Sequence, residues 1–295
     1  MSDTTSESMF FSAPDGLKLH ARRHGPRNGA PVPVVCLPGL TRTTEDFDVL
    51  AAGLIDANPD RPVIALDYRG RGRSDYDRNP ENYNLAVELG DVLAVLTALD
   101  IGRTVLVGTS RGGLLSMLMA TVRPTLLAGV VLNDIGPVIE AKGLLRIKSY
   151  VGKLPPPRSF QEGAEMLRRL FDAQFPKVTG DGWLAAARRA WQQREGRLVP
   201  TFDVQLARTL DNMDIERPLP SLWKEFDALS DVPLMVIRGA NSDLLSEETV
   251  AAMAARRSNM ETLVVPDQGH APLLAEPDVT QTIARFVVNC DMSAR

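Results

Sequence analysis

The sequence has few of the residues from which disulfide frameworks and metal clusters are built. Only two of its 295 residues are cysteines and only three are histidines. Cys36 lies in an apolar run and Cys290 lies near the C-terminus, so we expect both to be incidental small apolar residues. We therefore predict no disulfide framework and no metal site.

Several further features are missing. A net charge of -4 offers no basic surface for nucleic acid. No apolar stretch approaches the roughly 18–20 residues that span a bilayer, and the first residues lack the pattern of a signal peptide. There is no P-loop and no dinucleotide fingerprint, so we expect no cofactor. These absences favour a cytoplasmic protein without nucleic-acid or membrane partners that acts on a small molecule. They leave its oligomeric state open.

What is present is an ordinary globular composition, 44% hydrophobic and 24% charged. Short apolar runs, each ended by turn residues, alternate with helical patterns. Such runs are typical of strands buried on both faces, and the alternation predicts a mostly parallel, doubly wound α/β sheet. The predicted buried strands cover residues 32–39, 62–67, 104–110, 128–134 and 233–239.

The middle of the chain breaks this pattern. From residue 138 to 221 there is no convincing buried strand, and apolar residues recur at helical spacing. We predict a core built from residues 1–137 and 222–295, with a helical cap inserted between them. An insertion at the carboxyl end of a sheet strand lies where ligands bind in such sheets.

A G-x-S-x-G motif, Gly108 to Gly112, follows one predicted strand and precedes a helix. This is the context in which a sharp turn exposes a serine nucleophile, here Ser110, at the edge of a sheet. Side chains at 108 and 112 would crowd the turn. The helix start directs free N–H groups to the same point, so the N–H of Arg111 is a candidate oxyanion donor. The orientation of the Arg111 side chain is not predicted.

A serine hydroxyl needs a base to take its proton. His20 and His24 lie among charged neighbours in a predicted N-terminal hairpin, so we expect them to face solvent. His270 lies in a loop after a late strand, with a glycine beside it. We therefore predict His270 as the base.

The third member should be a carboxylate that orients the imidazole. Asp243 and Asp134 both end strands, and both fit the chain order serine, acid, histidine. We favour Asp243, because its strand comes immediately before that of the histidine. Asp134 remains the alternative, or could instead shape the entrance to the cap.

A second oxyanion donor should come from the loop after the first buried strand. In that loop Gly39 allows close approach of the backbone, and the N–H of Leu40 completes the predicted hole. Other candidates for the substrate pocket are Gly39, Thr41, Arg42, Asp134, Trp183 and Trp191.

Five motifs together, LPGL, DYRGRGRSD, GTSRGG, GANSD and QGHAP, resemble those of the α/β-hydrolase fold family. The resemblance covers residues 10–136 and 222–288. It implies this fold and a Ser–Asp–His triad, and it implies a structural role for the loop from Tyr68 to Ser74. Many relatives have His-Gly where this chain has Pro38-Gly39, so a histidine that often supports the oxyanion loop is absent.

We therefore predict a serine hydrolase that cleaves a carboxylic ester or lactone of a small to medium apolar molecule through an acyl-enzyme. A carbon–carbon bond hydrolase, a thioesterase, an amidase or a perhydrolase could use the same residues. A ligand-binding protein that kept the fold and lost catalysis is a third possibility, since fold does not imply function.

Overall fold

The computed structural model describes residues 6–211 and 219–293. Its main feature is an eight-stranded sheet in the order β1-β2-β4-β3-β5-β6-β9-β10, and β7 and β8 form a separate pair. The strands are β1 Glu7–Ser12, β2 Lys18–His24, β3 Val34–Leu37, β4 Val63–Asp67, β5 Thr104–Thr109, β6 Leu127–Asn133, β7 Trp191–Arg194, β8 Arg197–Pro200, β9 Leu234–Gly239 and β10 Glu261–Val265.

The centre of the sheet is parallel. Strand β2 pairs antiparallel with both β1 and β4, and the pairs from β4 through to β10 are parallel. Every residue of β3, β4, β6 and β9 is buried. Such strands are apolar at every position because helices cover both faces of the sheet and shield both sets of side chains from water. The predicted fold class is confirmed.

Two apolar layers lie on the two faces of the sheet, because successive strand residues point to opposite sides. Val34 and Cys36 of β3 pack in one layer, and Val35 and Leu37 pack in the other. The first layer is covered by α1 and α10, and the second by α2, α3, α8 and α9. The helices are α1 Asp48–Ala57, α2 Leu85–Ala98, α3 Arg111–Val122, α4 Ala141–Tyr150, α5 Phe160–Phe171, α6 Gly180–Ala190, α7 Arg208–Asp211, α8 Trp223–Asp227, α9 Glu247–Arg256 and α10 Pro277–Ser293. Within the described part of the chain, none of these helices has both the length and the apolar character of a membrane span.

The segment between β6 and β9 contains helices α4 to α8, of which α5 and α6 are those that the helical spacing predicts, and also the hairpin β7–β8. This hairpin was not predicted from the sequence: the chain leaves α6 at Trp191 and becomes extended. Its two-residue turn is Glu195-Gly196, with φ of 49° and 76°. Such turns need positive φ at both positions. Glutamate is not typical of the first position, so the sequence does not predict the turn.

The expectation that His20 and His24 face solvent is wrong. Both are buried, because β2 lies between β1 and β4 rather than at the edge of the sheet. The His20 ring Nδ1 lies 2.7 Å from Oδ2 of Asp67, which ends β4. The charged residues around these histidines in sequence do not reveal this burial.

Candidate active site

Ser110 lies in the sharp turn between β5 and α3. Its backbone angles, φ 51° and ψ -109°, are in a region that residues with a side chain rarely adopt. The backbone segments around Ser110 are closely packed. A Cβ on Gly108 would lie 2.5 Å from the carbonyl carbon of Gly112, and a Cβ on Gly112 would lie 2.0 Å from the backbone oxygen of Leu37. The two glycines therefore have the steric role that the motif predicts.

The strain at Ser110 can be measured. We expect the Ser110→Gly protein to be more stable than Ser110→Ala by about 1 kcal/mol, because glycine adopts positive φ without steric cost. Ser116, buried within α3, provides the matched control. There the order should reverse, with glycine about 1 kcal/mol less stable than alanine. Urea denaturation of the four proteins measures both differences, and the same order at both positions would contradict a strained turn.

His270 lies in the loop after β10 and faces Ser110. Its ring Nε2 is 2.9 Å from the Ser110 Oγ, and its Nδ1 is 2.8 Å from Oδ2 of Asp134. An ionised carboxylate only accepts hydrogen bonds, so Nδ1–H donates to Asp134. The Nε2 lone pair then faces the hydroxyl of Ser110, which donates to it.

The carboxylate beside His270 is thus Asp134, not Asp243, and the sequence preference between the two is corrected. Asp243 instead accepts two hydrogen bonds from Arg146 of α4, at 2.7 and 2.8 Å. Burial alone would raise the pKa of Asp243, but the Arg146 guanidinium holds it below its usual value. Because β6 and β9 are neighbours in the sheet, their following loops meet at one edge. Chain order therefore does not identify the partner of His270.

Asp134 is held by a set of donors that the sequence analysis missed. Its Oδ1 accepts from the N–H of Gly239 at 2.8 Å, and its Oδ2 accepts from the hydroxyl of Ser242 at 2.6 Å. Asn133 accepts from the N–H of Ser110 through its backbone oxygen and donates its side-chain amide to Pro272 O. Buried polar residues at the ends of β6 and β9 are the feature that could have indicated these roles.

Both predicted oxyanion donors belong to backbone close to Ser110: Leu40 follows Gly39, whose Cβ would lie 3.9 Å from the Ser110 Cβ, and Arg111 follows Ser110 directly. Leu40 is a corner residue of the turn in which the N–H of Arg42 donates to Gly39 O at 3.2 Å. Arg111 is the first residue of α3, so its N–H has no carbonyl four residues earlier in the helix. This geometry is consistent with a hole made by the two N–H groups, which stays a prediction.

The Arg111 side chain, whose orientation the sequence left open, points away from the nucleophile. Its Nε donates to Oε2 of Glu88 at 2.5 Å, and Glu88 itself is fully buried. The guanidinium is therefore part of an ion pair beneath the turn.

A cavity of about 760 Å³ opens over Ser110 and His270. Its floor comes from the loops of the sheet, and its walls include apolar residues of α4, α5 and α6. Five of the predicted pocket residues line it: Gly39, Thr41, Arg42, Trp183 and Trp191. Asp134 is fully buried behind His270 instead.

Comparison with known proteins agrees with this architecture. A sequence model of the alpha/beta hydrolase family matches residues 34–280, and the chain belongs to this family. It is 34% identical over 272 residues to the 3-hydroxybutyrate-oligomer hydrolase of Cupriavidus necator, covering 90% of this chain and 91% of that protein. It is 25% identical over 266 residues to an esterase of Mycobacterium tuberculosis, covering 87% and 82% of the two chains.

A solved structure supports the same conclusion. The crystal structure of an alpha/beta hydrolase from Novosphingobium aromaticivorans matches with a TM-score of 0.88 and 37% identity, over 96% of this chain and 98% of that one. The predicted family and the predicted enzyme class, a hydrolase, are confirmed.

Proposed function

We propose that the protein is a serine hydrolase of carboxylic esters, with Ser110 as nucleophile, His270 as general base and Asp134 as the acid that orients it. The observation that carries the proposal is the unbroken series of contacts from Asp134 through His270 to Ser110, at 2.8 and 2.9 Å, beside a cavity of about 760 Å³. Nucleophile, base and orienting group within hydrogen-bond reach of each other are the features of an activated serine.

In the proposed reaction His270 Nε2 takes the proton of Ser110 as Oγ attacks the ester carbonyl. The carbonyl oxygen becomes an oxyanion that accepts from the N–H groups of Leu40 and Arg111. His270 then gives its proton to the leaving alkoxide, which departs as an alcohol. Water, deprotonated by His270, attacks the acyl-enzyme and releases the acid, and the proton returns to Ser110.

The size and lining of the cavity indicate the class of ester. About 760 Å³ is within the range of pockets that enclose small organic molecules. Tyr150, Phe171, Phe175, Trp183 and Trp191 are among the lining residues. Together with the 34% identity to a hydrolase of 3-hydroxybutyrate oligomers, this favours short oligoesters of hydroxy acids as substrates.

A substrate panel tests the proposal. The purified protein should hydrolyse a 3-hydroxybutyrate dimer and trimer and short p-nitrophenyl esters. A fluorophosphonate should stop turnover and add one covalent group at Ser110, located by mass spectrometry. Matched lactone, thioester, amide and vinylogous diketone substrates should be turned over more slowly. If the phosphonate left Ser110 unmodified, or if the diketone were the best substrate, ester hydrolysis through this serine would be refuted.

A further inference from the structure

We propose that Glu88, a buried carboxylate of α2 outside the cavity, is a positioning residue for the oxyanion hole. This inference rests on the proposed function. Glu88 connects the two residues assigned as oxyanion donors: Arg111 directly, and Leu40 through Arg71. The loop that carries Arg71 was expected to have only a structural role, and the network assigns it a part in the reaction.

The connection to Arg111 is a direct ion pair. Arg111 Nε donates to Glu88 Oε2 at 2.5 Å, and its Nη2 donates to the backbone oxygen of Tyr83 at 3.3 Å. Both acceptors lie at or just before the first turns of α2. They hold the side chain of the residue whose own N–H faces the developing negative charge.

The connection to Leu40 passes through Arg71. Arg71 Nη1 donates to Glu88 Oε1 at 2.7 Å, and its Nε donates to the backbone oxygen of Leu40 at 2.8 Å. Arg71 thus links the backbone carbonyl of the loop that carries Leu40 to the Glu88 carboxylate.

The burial of the network argues that it does more than stabilise the fold. Glu88 and Arg71 are each 0% exposed. Removing such charges from water costs free energy that their mutual attraction often does not fully offset. Burial alone would raise the pKa of Glu88, but the two guanidiniums hold it below its usual value, so the carboxylate stays ionised.

The same helix supplies a matched control. Asp91 lies three residues after Glu88, is buried, and accepts two hydrogen bonds from Arg69, both at 2.7 Å. Arg69 is on the same loop as Arg71. The Asp91 carboxylate thus forms a buried ion pair of the same kind, but its bonds go to Arg69 and not to Arg71 or Arg111.

The test compares Glu88→Gln with Asp91→Asn. A glutamine amide has one acceptor oxygen, so one guanidinium loses its partner. We expect Glu88→Gln to lower kcat for the best ester by about 10- to 100-fold, less than the loss of a whole oxyanion donor, with KM within about twofold. The Ki of a trifluoromethyl ketone, whose adduct with Ser110 places an oxyanion in the hole, should rise by the same factor. Asp91→Asn should leave kcat and Ki within about twofold.

The outcomes separate this inference from the proposed function. An unchanged kcat in Glu88→Gln, or an equal loss in Asp91→Asn, overturns the positioning role while wild-type turnover upholds the esterase. Wild-type protein that neither hydrolyses esters nor reacts with the phosphonate overturns the esterase itself.

If Glu88→Gln does not fold, Arg71→Lys replaces it, because a single ammonium does not reach both Glu88 and Leu40 in the geometry of the planar guanidinium. The same parallel change of kcat and Ki is then expected.

Discussion

The Ser110→Ala protein is expected to lose ester hydrolysis by about 10⁵- to 10⁶-fold and to remain folded. The loss is large because the hydroxyl oxygen is the attacking atom, and without it no acyl-enzyme forms. Stability should change by about 1 kcal/mol or less, because the hydroxyl makes one hydrogen bond, to His270, and alanine keeps the Cβ. Turnover of a p-nitrophenyl ester and the circular dichroism of both proteins provide the measurement.

Ser116→Ala serves as the control for this change. Ser116 lies on the same helix, is fully buried, and donates to Gly112 O at 2.9 Å without contacting His270. Its removal should leave turnover within about twofold of the wild-type value. Hydrolysis by Ser110→Ala within tenfold of wild type would mean that another group attacks the substrate, and the proposed mechanism would be wrong.

The fold was predictable because its central strands are buried on both faces. The apolar runs that contain β3 to β6 and β9 identify strands although apolar and polar residues do not alternate in them. Glycines on either side of Ser110 identify the turn between β5 and α3. These features depend on residues adjacent in sequence. They allow the parallel sheet and the position of Ser110 and His270 in it to be derived from local patterns.

The parts that were missed depend on contacts between distant residues. His270 contacts Asp134 while Asp243 pairs with Arg146 of α4, and both carboxylates therefore have partners that are distant in sequence. The burial of His20 follows from the place of β2 between β1 and β4, which no local pattern encodes. Likewise the partner of Arg111 is Glu88, 23 residues earlier on another helix. For His20 and for the carboxylate beside His270, the local interpretation was reasonable and the tertiary contact decided against it, whereas the orientation of Arg111 had no local pattern to predict it.

The choice between the two carboxylates leads to the last prediction. We expect Asp134→Asn to lower kcat by about 10⁴-fold. Asparagine places an amide N–H where a carboxylate oxygen now accepts from Nδ1 of His270. The ring then carries its proton on Nε2, and Nε2 no longer accepts the proton of Ser110. The substrate should bind nearly as before, since Asp134 lies behind His270 and outside the cavity, so the expected change is in kcat and not in KM.

Asp243→Asn is the matched comparison, because it makes the same chemical change on the neighbouring loop. It weakens the pair with Arg146 and should cost about 1–3 kcal/mol of stability, while kcat changes by less than about tenfold because His270 keeps Asp134. Steady-state kinetics of the two variants on one ester gives the answer. A larger loss of kcat in Asp243→Asn than in Asp134→Asn would show that His270 is oriented by Asp243 during turnover, and that the contact at 2.8 Å with Asp134 is not the catalytic one.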